Sequence, residues 1–118
     1  MLLKNHFCRD INNYKMERLQ TLLKFIEETP SDPFLHFAVA MEYLSINDLE
    51  NALIKMEFVT QNYSGYLPHY YQLAKLYEQL QHTEKAIETY EKGIELAFKQ
   101  KELKTAGELR SALEELTF

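Results

Sequence analysis

The sequence predicts an all-α protein, a solenoid of helical hairpins with about five to six helices, and three observations carry that prediction. Two stretches superpose at a fixed offset of 34 residues: Val39-Ala40, Tyr43, Ala52 and Met56 recur as Leu73-Ala74, Tyr77, Ala86 and Tyr90. An offset of that length belongs to repeats made of two helices. Within each stretch the apolar residues fall at helical spacing. With only 3 Gly and 3 Pro in 118 residues, the chain has few helix breakers.

The recurring residue types explain why the unit repeats. Ala40 and Ala74 stand where a first helix must let its partner come close, and Ala52 and Ala86 are the matching small residues on the second helix. Tyr43 and Tyr77 fill the gap beside them. A single pair of helices leaves part of its apolar surface uncovered, so each pair has to stack on a neighbour.

In chain order, residues 1–15 show no clean period, and Asn5, Asn12 and Asn13 weaken a helix there. They are expected to be an N-terminal extension, disordered or loosely packed, ahead of a single domain over 16–118. Residues 16–29 form a first helix with Leu19, Leu22, Leu23, Phe25 and Ile26 at helical spacing, stopped by Pro30. The first full repeat spans 33–64. Asp32 caps its first helix, Pro33 occupies the first turn, and Asp48 caps the second helix after the Asn47-Asp48 turn. The second repeat spans 67–100, opened by Pro68, with Thr83 as the cap of its longer second helix and Glu88–Lys92 and Glu95–Lys99 pairs along it. A last helix over 102–117 presents Leu103, Ala106, Leu109 or Leu113, and Leu116 on one face and Lys104, Glu108, Glu114 and Glu115 on the other. That polarity suits a terminal cap. Gly107 and Glu108 fall where a third copy would need Leu and a small residue, so the third repeat is at most half formed.

At these residues the chain resembles the tetratricopeptide-repeat (TPR) proteins. Their pattern, W-x2-L-G-x2-Y, then A-x3-F, then P, is matched by Val39, Ala40, Tyr43, Ala52 and Met56 and again by Leu73, Ala74, Tyr77, Ala86 and Tyr90. His36 and Tyr70 stand in the place of the family's Trp, and Ser64 and Phe98 in that of its Pro. The resemblance implies a right-handed α-α superhelix whose first helices line a concave side that holds a peptide.

On that implication the peptide-binding groove consists of Phe34, Phe37, Met41 and Leu44 in the first repeat and Tyr71, Lys75 and Glu78 in the second. The first four form an apolar stripe nearly opposite His36, Val39, Ala40 and Tyr43 on a helical wheel. The groove is therefore aromatic and apolar at one end and charged at the other. Two readings of the stripe stand at this point. Either it anchors a partner's apolar side chains, or the flanking helices and Leu2, Leu3, Phe7 and Ile11 cover it as ordinary core. Tyr63, Tyr66 and Tyr70 are assigned to packing of the turn between repeats. The family's co-chaperones grip a C-terminal carboxylate with Lys and Asn, but here Phe37, Met41 and Gln72 occupy those places, so the likeness does not extend to a chaperone-tail clamp.

The remaining features exclude more than they propose. Six basic against nine acidic residues up to position 60, and seven against nine after it, give a net −5 without polarity, which argues against nucleic acid. Cys8 is alone, so no internal disulfide is expected. No apolar run reaches the ~18 residues of a membrane span, and Lys4 to Asp10 interrupts any signal-peptide core. A cytoplasmic location follows as the expectation. No phosphate loop, nucleophile elbow or His-Glu-x-x-His occurs. Adjacent Glu27-Glu28 and Glu114-Glu115 point ~100° apart and cannot bracket a substrate. His6, Cys8 and Asp10 alternate as metal ligands can, but lie in an unpatterned segment. The expected function is a non-catalytic adaptor without cofactor or metal, with another protein or a peptide as partner. The alternative is self-association, a homo-oligomer formed through the same stripe or the incomplete first repeat.

Overall fold

The computed structural model describes residues 2–118, with side chains from Ile11 onward. Six helices follow one another, α1 (Leu2–Glu28), α2 (Pro33–Ser45), α3 (Leu49–Asn62), α4 (Pro68–Gln79), α5 (Thr83–Lys99) and α6 (Leu103–Thr117), with no strand among the described residues. The fold is the all-α hairpin repeat that the 34-residue offset predicts. Chain contacts divide it into two compact units, one up to Val59 and one from Thr60.

In the first unit α1 is a single helix from Leu2, so the backbone ahead of Met16 is helical where the asparagines predict a weak start. The physical reason is cooperativity. Each Asn costs only up to ~0.7 kcal/mol against Ala, whereas extending an existing helix adds a hydrogen bond per residue. The side chains of Leu2, Leu3, His6, Phe7, Cys8 and Asp10 lie outside what is described, and with them the metal-ligand alternation and the alternative cover for the α2 stripe.

Polar contacts join α1 to α2. The Arg18 guanidinium donates to the buried Glu42 carboxylate through Nε at 2.7 Å and Nη2 at 2.6 Å. Lys15 Nζ donates to the Ser45 carbonyl at 3.0 Å. Sequence pattern gave no sign of the Arg18–Glu42 pair, because a charge on a first helix is ordinarily solvated. Leu19, Val39, Ala40, Ala52, Met56 and Val59 are buried. His36, in the place of the family's Trp, packs its ring 4.7 Å from that of Phe58 and reaches the Pro30 carbonyl through Nε2 at 2.7 Å.

Helix starts match the expectation at Asp32, whose carboxylate accepts from the Phe34 amide at 2.9 Å, and at Asp48, which accepts from the Asn51 amide at 3.2 Å. Thr83 is a correction: it is the first residue of α5, and His82 occupies the cap without a side-chain bond. The repeat offset itself maps Asp48 onto His82. Three turns share one geometry, with Asn47, Gln81 and Lys101 at φ of 61°, 63° and 62°. In each, the next amide closes the turn on a carbonyl five residues back, Asp48 on Tyr43, His82 on Tyr77 and Glu102 on Ala97, all at 2.8 Å. Backbone bonds of this kind satisfy carbonyls at the end of the preceding helix, and at the first of the three turns Asp48 caps the helix that follows as well.

In the second unit α5 packs between α4 and α6. Leu67, Tyr70, Ala74, Tyr90, Ala97, Ala106, Leu109 and Ala112 form its core. Every motif residue of the second repeat, Leu73, Ala74, Tyr77, Ala86 and Tyr90, is buried. The exposed Glu88–Lys92 pair forms at 3.1 Å.

The face of α6 differs from its prediction in one residue. Ala106, Leu109 and Ala112 are buried and Leu113 and Leu116 partly so, but Leu103 is 68% exposed. Leu103 opens the helix at the mouth of the hairpin, where α5 has no further turn to cover it. The buried residues of α6 follow Tyr70, Leu73 and Leu76 by 36 positions, not 34. Arg110 therefore takes the place corresponding to Ala74, exposed, with its guanidinium 5.3 Å from the centre of the Phe98 ring.

Two residues that the sequence reading passed over hold this unit together. His69 is fully buried, its Nδ1 2.6 Å from the Tyr66 carbonyl and its Nε2 2.7 Å from the Thr60 hydroxyl. Burial pushes its pKa down, so the ring is neutral, donating from Nδ1 and accepting at Nε2. Tyr70 packs 4.2 Å from it and donates to the Ser64 carbonyl at 2.7 Å, which fulfils its assignment to the turn. Gly93 is the second. A Cβ there would lie 2.9 Å from Tyr70 Cβ and 3.0 Å from Leu109 Cδ1.

Two predictions follow from these contacts. Gly93→Ala should lower stability in urea unfolding by about 1–3 kcal/mol through overpacking, although alanine is the better helix former by ~1 kcal/mol. For His69 the folded-state pKa lies below the unfolded value of 6.5, so its contribution is complete above that pH and is lost as pH falls towards the folded pKa. Thermal midpoints should therefore drop between about pH 7 and pH 5, and the drop should shrink in His69→Gln.

Candidate functional site

The candidate site in the second unit is an open depression of about 520 Å³ walled by Tyr71 and Lys75 from α4 and by Lys104, Glu108, Ser111 and Glu115 from α6. A neighbouring depression of about 530 Å³ shares Tyr71 and Glu108 and continues past Gln72 and Thr105. Both helices are fixed on α5 by apolar packing, so the wall residues sit on rigid elements. Gly107 also lines the wall and has open space where a Cβ would point.

Tyr90, on α5, ties the site to the core. It is fully buried, its ring meets that of Tyr71 edge-on at 6.4 Å and 72°, and its hydroxyl donates to the Glu78 carboxylate. Burial, then the bond to Glu78 and the charges of Glu78 and Glu115, push the phenol far above its ordinary pKa. Lys75 stands 3.6 Å from Glu78 and 5.6 Å from the centre of the Tyr71 ring. Of the expected groove residues, Tyr71, Lys75 and Glu78 thus come together on α4. Glu78, however, is already engaged by Tyr90 and Lys75, and is only partly free to orient a partner.

The other expected residues lie on α2 in the first unit. Phe34 is 58% exposed, and Phe37, Met41 and Leu44 are half-buried. The stripe is neither fully enclosed nor fully open.

Sequence reasoning missed the α6 wall. Lys104, Glu108, Glu114 and Glu115 read as the solvated side of a cap, whereas three of the four line the depression. The available signal was the repeat: displaced by 36, Tyr71, Gln72 and Lys75 correspond to Gly107, Glu108 and Ser111. Among the described residues no cluster of three His, Cys, Asp or Glu side chains could hold a metal ion.

Known proteins place this architecture. The tetratricopeptide-repeat family model matches residues 69–100. The solution structure of a tetratricopeptide repeat domain protein from Salinibacter ruber is 38% identical, over 74% of this chain and 88% of that one, with a TM-score of 0.71. The chain belongs to the tetratricopeptide-repeat family. A crystal structure of a tetratricopeptide repeat domain protein from the same organism gives 37% identity over 73% and 96% of the two chains, with a TM-score of 0.70. The first TPR of Spaghetti, solved bound to the HSP90 peptide SRMEEVD, is 20% identical over 91% and 83%, with a TM-score of 0.70, a likeness of fold alone. Curated proteins give no match. TPR folds are generally non-catalytic scaffolds for protein–protein interaction, and no helix among the described residues is long and apolar enough to cross a membrane.

The buried phenol yields the prediction for this TPR site. Tyr90→Phe removes the donor to Glu78 and should cost about 1.5–3 kcal/mol in urea unfolding, the range for a hydrogen bond to a charged group, leaving the helical circular dichroism unchanged.

Proposed function

We propose that this TPR protein is a non-catalytic adaptor, acting in the cytoplasm, that docks a segment of another protein on the exposed faces of its first helices. The depression between α4 and α6 carries the reading: it is open, aromatic at Tyr71, charged along α6 and built on helices held by a packed core. In the first unit, Phe34, Phe37, Met41 and Leu44 supply apolar anchors on α2. In the second, Tyr71 and Lys75 supply contacts on α4, with Glu78 holding Lys75 in place. Peptide binding by a TPR of the same fold, that of Spaghetti, supports a segment as the ligand. Anchors of this kind, aromatic and partly desolvated, dominate binding free energy in protein interfaces.

Self-association is the second reading, favoured by the rings of Phe25 and Phe34, which are 48% and 58% exposed. Sedimentation over a range of concentrations separates the two, since a strict monomer throughout eliminates self-association.

Partners captured by the purified chain from its source cell and identified by mass spectrometry should be retained at least about tenfold less by Phe34→Asp and by Tyr71→Ala. Both side chains are exposed, so circular dichroism should stay native. Undiminished capture by both variants would rule out docking on these faces.

A further inference from the structure

Two places in the repeat hold small, fully buried residues in its complete copies and arginine elsewhere. On the second helices of the hairpins, Ala52 and Ala86 have no exposed surface, and Val59 and Gly93 are buried beside them. Shifted back by the 34-residue repeat, Ala52 falls on Arg18 of α1 and Val59 on Phe25. Both are about half exposed, with Tyr14 and Thr21 exposed along the same strip. On the first helices, Ala40 and Ala74 are fully buried, and the 36-residue displacement of α6 puts the exposed Arg110 in their place. So α1 turns outward the face on which a second helix receives its first, and α6 the face on which a first helix receives its second.

Those faces are complementary. If α6 of one copy met α1 of another, the two helices would complete one more hairpin of the repeat, stacked as its neighbours are. Such a contact joins two different surfaces, and head-to-tail contacts propagate into open chains unless their rotation closes a ring. Arginine stands on both sides of it. Where an ordinary hairpin sets Ala74 and Ala86, this crossing would set Arg110 against Arg18 of the next copy.

Neither arginine is loose. The Arg18 guanidinium is held by Glu42 at 2.7 and 2.6 Å and lies 5.5 Å from the centre of the Tyr14 ring. That of Arg110 lies 5.3 Å from the centre of the Phe98 ring. Glu42 offsets the charge of Arg18, so the obstacle is bulk at a crossing built for alanine and the removal of the Arg110 charge from water. Phe25 adds to the bulk.

We propose that Arg18 and Arg110 are blocking residues that keep copies of this chain from stacking head-to-tail through α1 and α6. The block is independent of the docking function proposed above, whose faces lie on α2 and α4. It also removes continuation of the repeat as a route to self-association.

Sedimentation of the full chain over a range of concentrations tests this. The variant Arg18→Ala, Glu42→Gln, Arg110→Ala removes both guanidiniums without leaving a buried carboxylate unpaired. It should self-associate with an apparent Kd at least about tenfold below that of the native chain, and Arg110→Ala alone should move the same way by less. Adding Phe25→Asp, on the exposed face of α1, should return the variant to native behaviour.

A triple variant with native circular dichroism that sediments as the native chain does would overturn the proposal. So would association that Phe25→Asp leaves unchanged, because the contact would then lie elsewhere. Were the triple variant to lose its helical signal, Arg110→Ala, which breaks no ion pair, decides alone: sedimentation identical to the native chain at every concentration overturns the block.

Discussion

The approach of α5 to its two neighbours at Gly93 sets the geometry of the second unit. Where that helix has no side chain, Tyr70 of α4 and Leu109 of α6 close in from either side, to distances that any Cβ would violate. Ala74, Ala97, Ala106 and Ala112 extend the same contact along the helices. Small residues at a crossing let backbones approach, and bulky ones around them supply most of the apolar area removed from water. Because α4 and α6 both rest on α5, the walls of the groove keep a fixed separation. Tyr90, buried on α5 and edge-on to Tyr71, links that packing to the surface.

Polar groups inside this frame find partners. His69 lies between a carbonyl and a hydroxyl, Tyr70 donates to a carbonyl, and the Tyr90 hydroxyl donates to Glu78. In the first unit Glu42 accepts twice from Arg18. A buried polar atom left without a partner costs ~1–3 kcal/mol, which is reason enough for each arrangement.

Helical hairpins here are closed by backbone geometry more than by capping side chains. Asn47, Gln81 and Lys101 adopt positive φ without being glycine, and each turn is secured by the amide that follows. A left-handed conformation costs an L-residue ~1–2 kcal/mol, and the bonds it permits at the helix end offset it. Thr83 looked like a cap and is not, because the turn at Gln81 starts α5 at Thr83 and leaves His82 in the cap position. A threonine before an apolar run carries a strong signal, while a glutamine at φ of 63° carries none.

By itself, the sequence determined the all-α class, the repeat and the family, because periodicity and small-residue spacing are properties of neighbouring residues along one chain. Val39, Ala40, Leu73, Ala74 and Tyr90 are buried as their positions in the pattern require, and Tyr71 and Lys75, expected on the groove side, line the depression against α6. Tertiary structure alone decided what those faces look out on. The 36-residue displacement of α6, the burial of Ala112 in the place corresponding to Leu76, and the turn of Glu108, Ser111 and Glu115 towards α4 all follow from how α6 meets α5. A charged residue on an amphipathic helix is equally solvated in sequence terms whether its face meets bulk water or a groove. Only the position of the neighbouring helix tells the two apart.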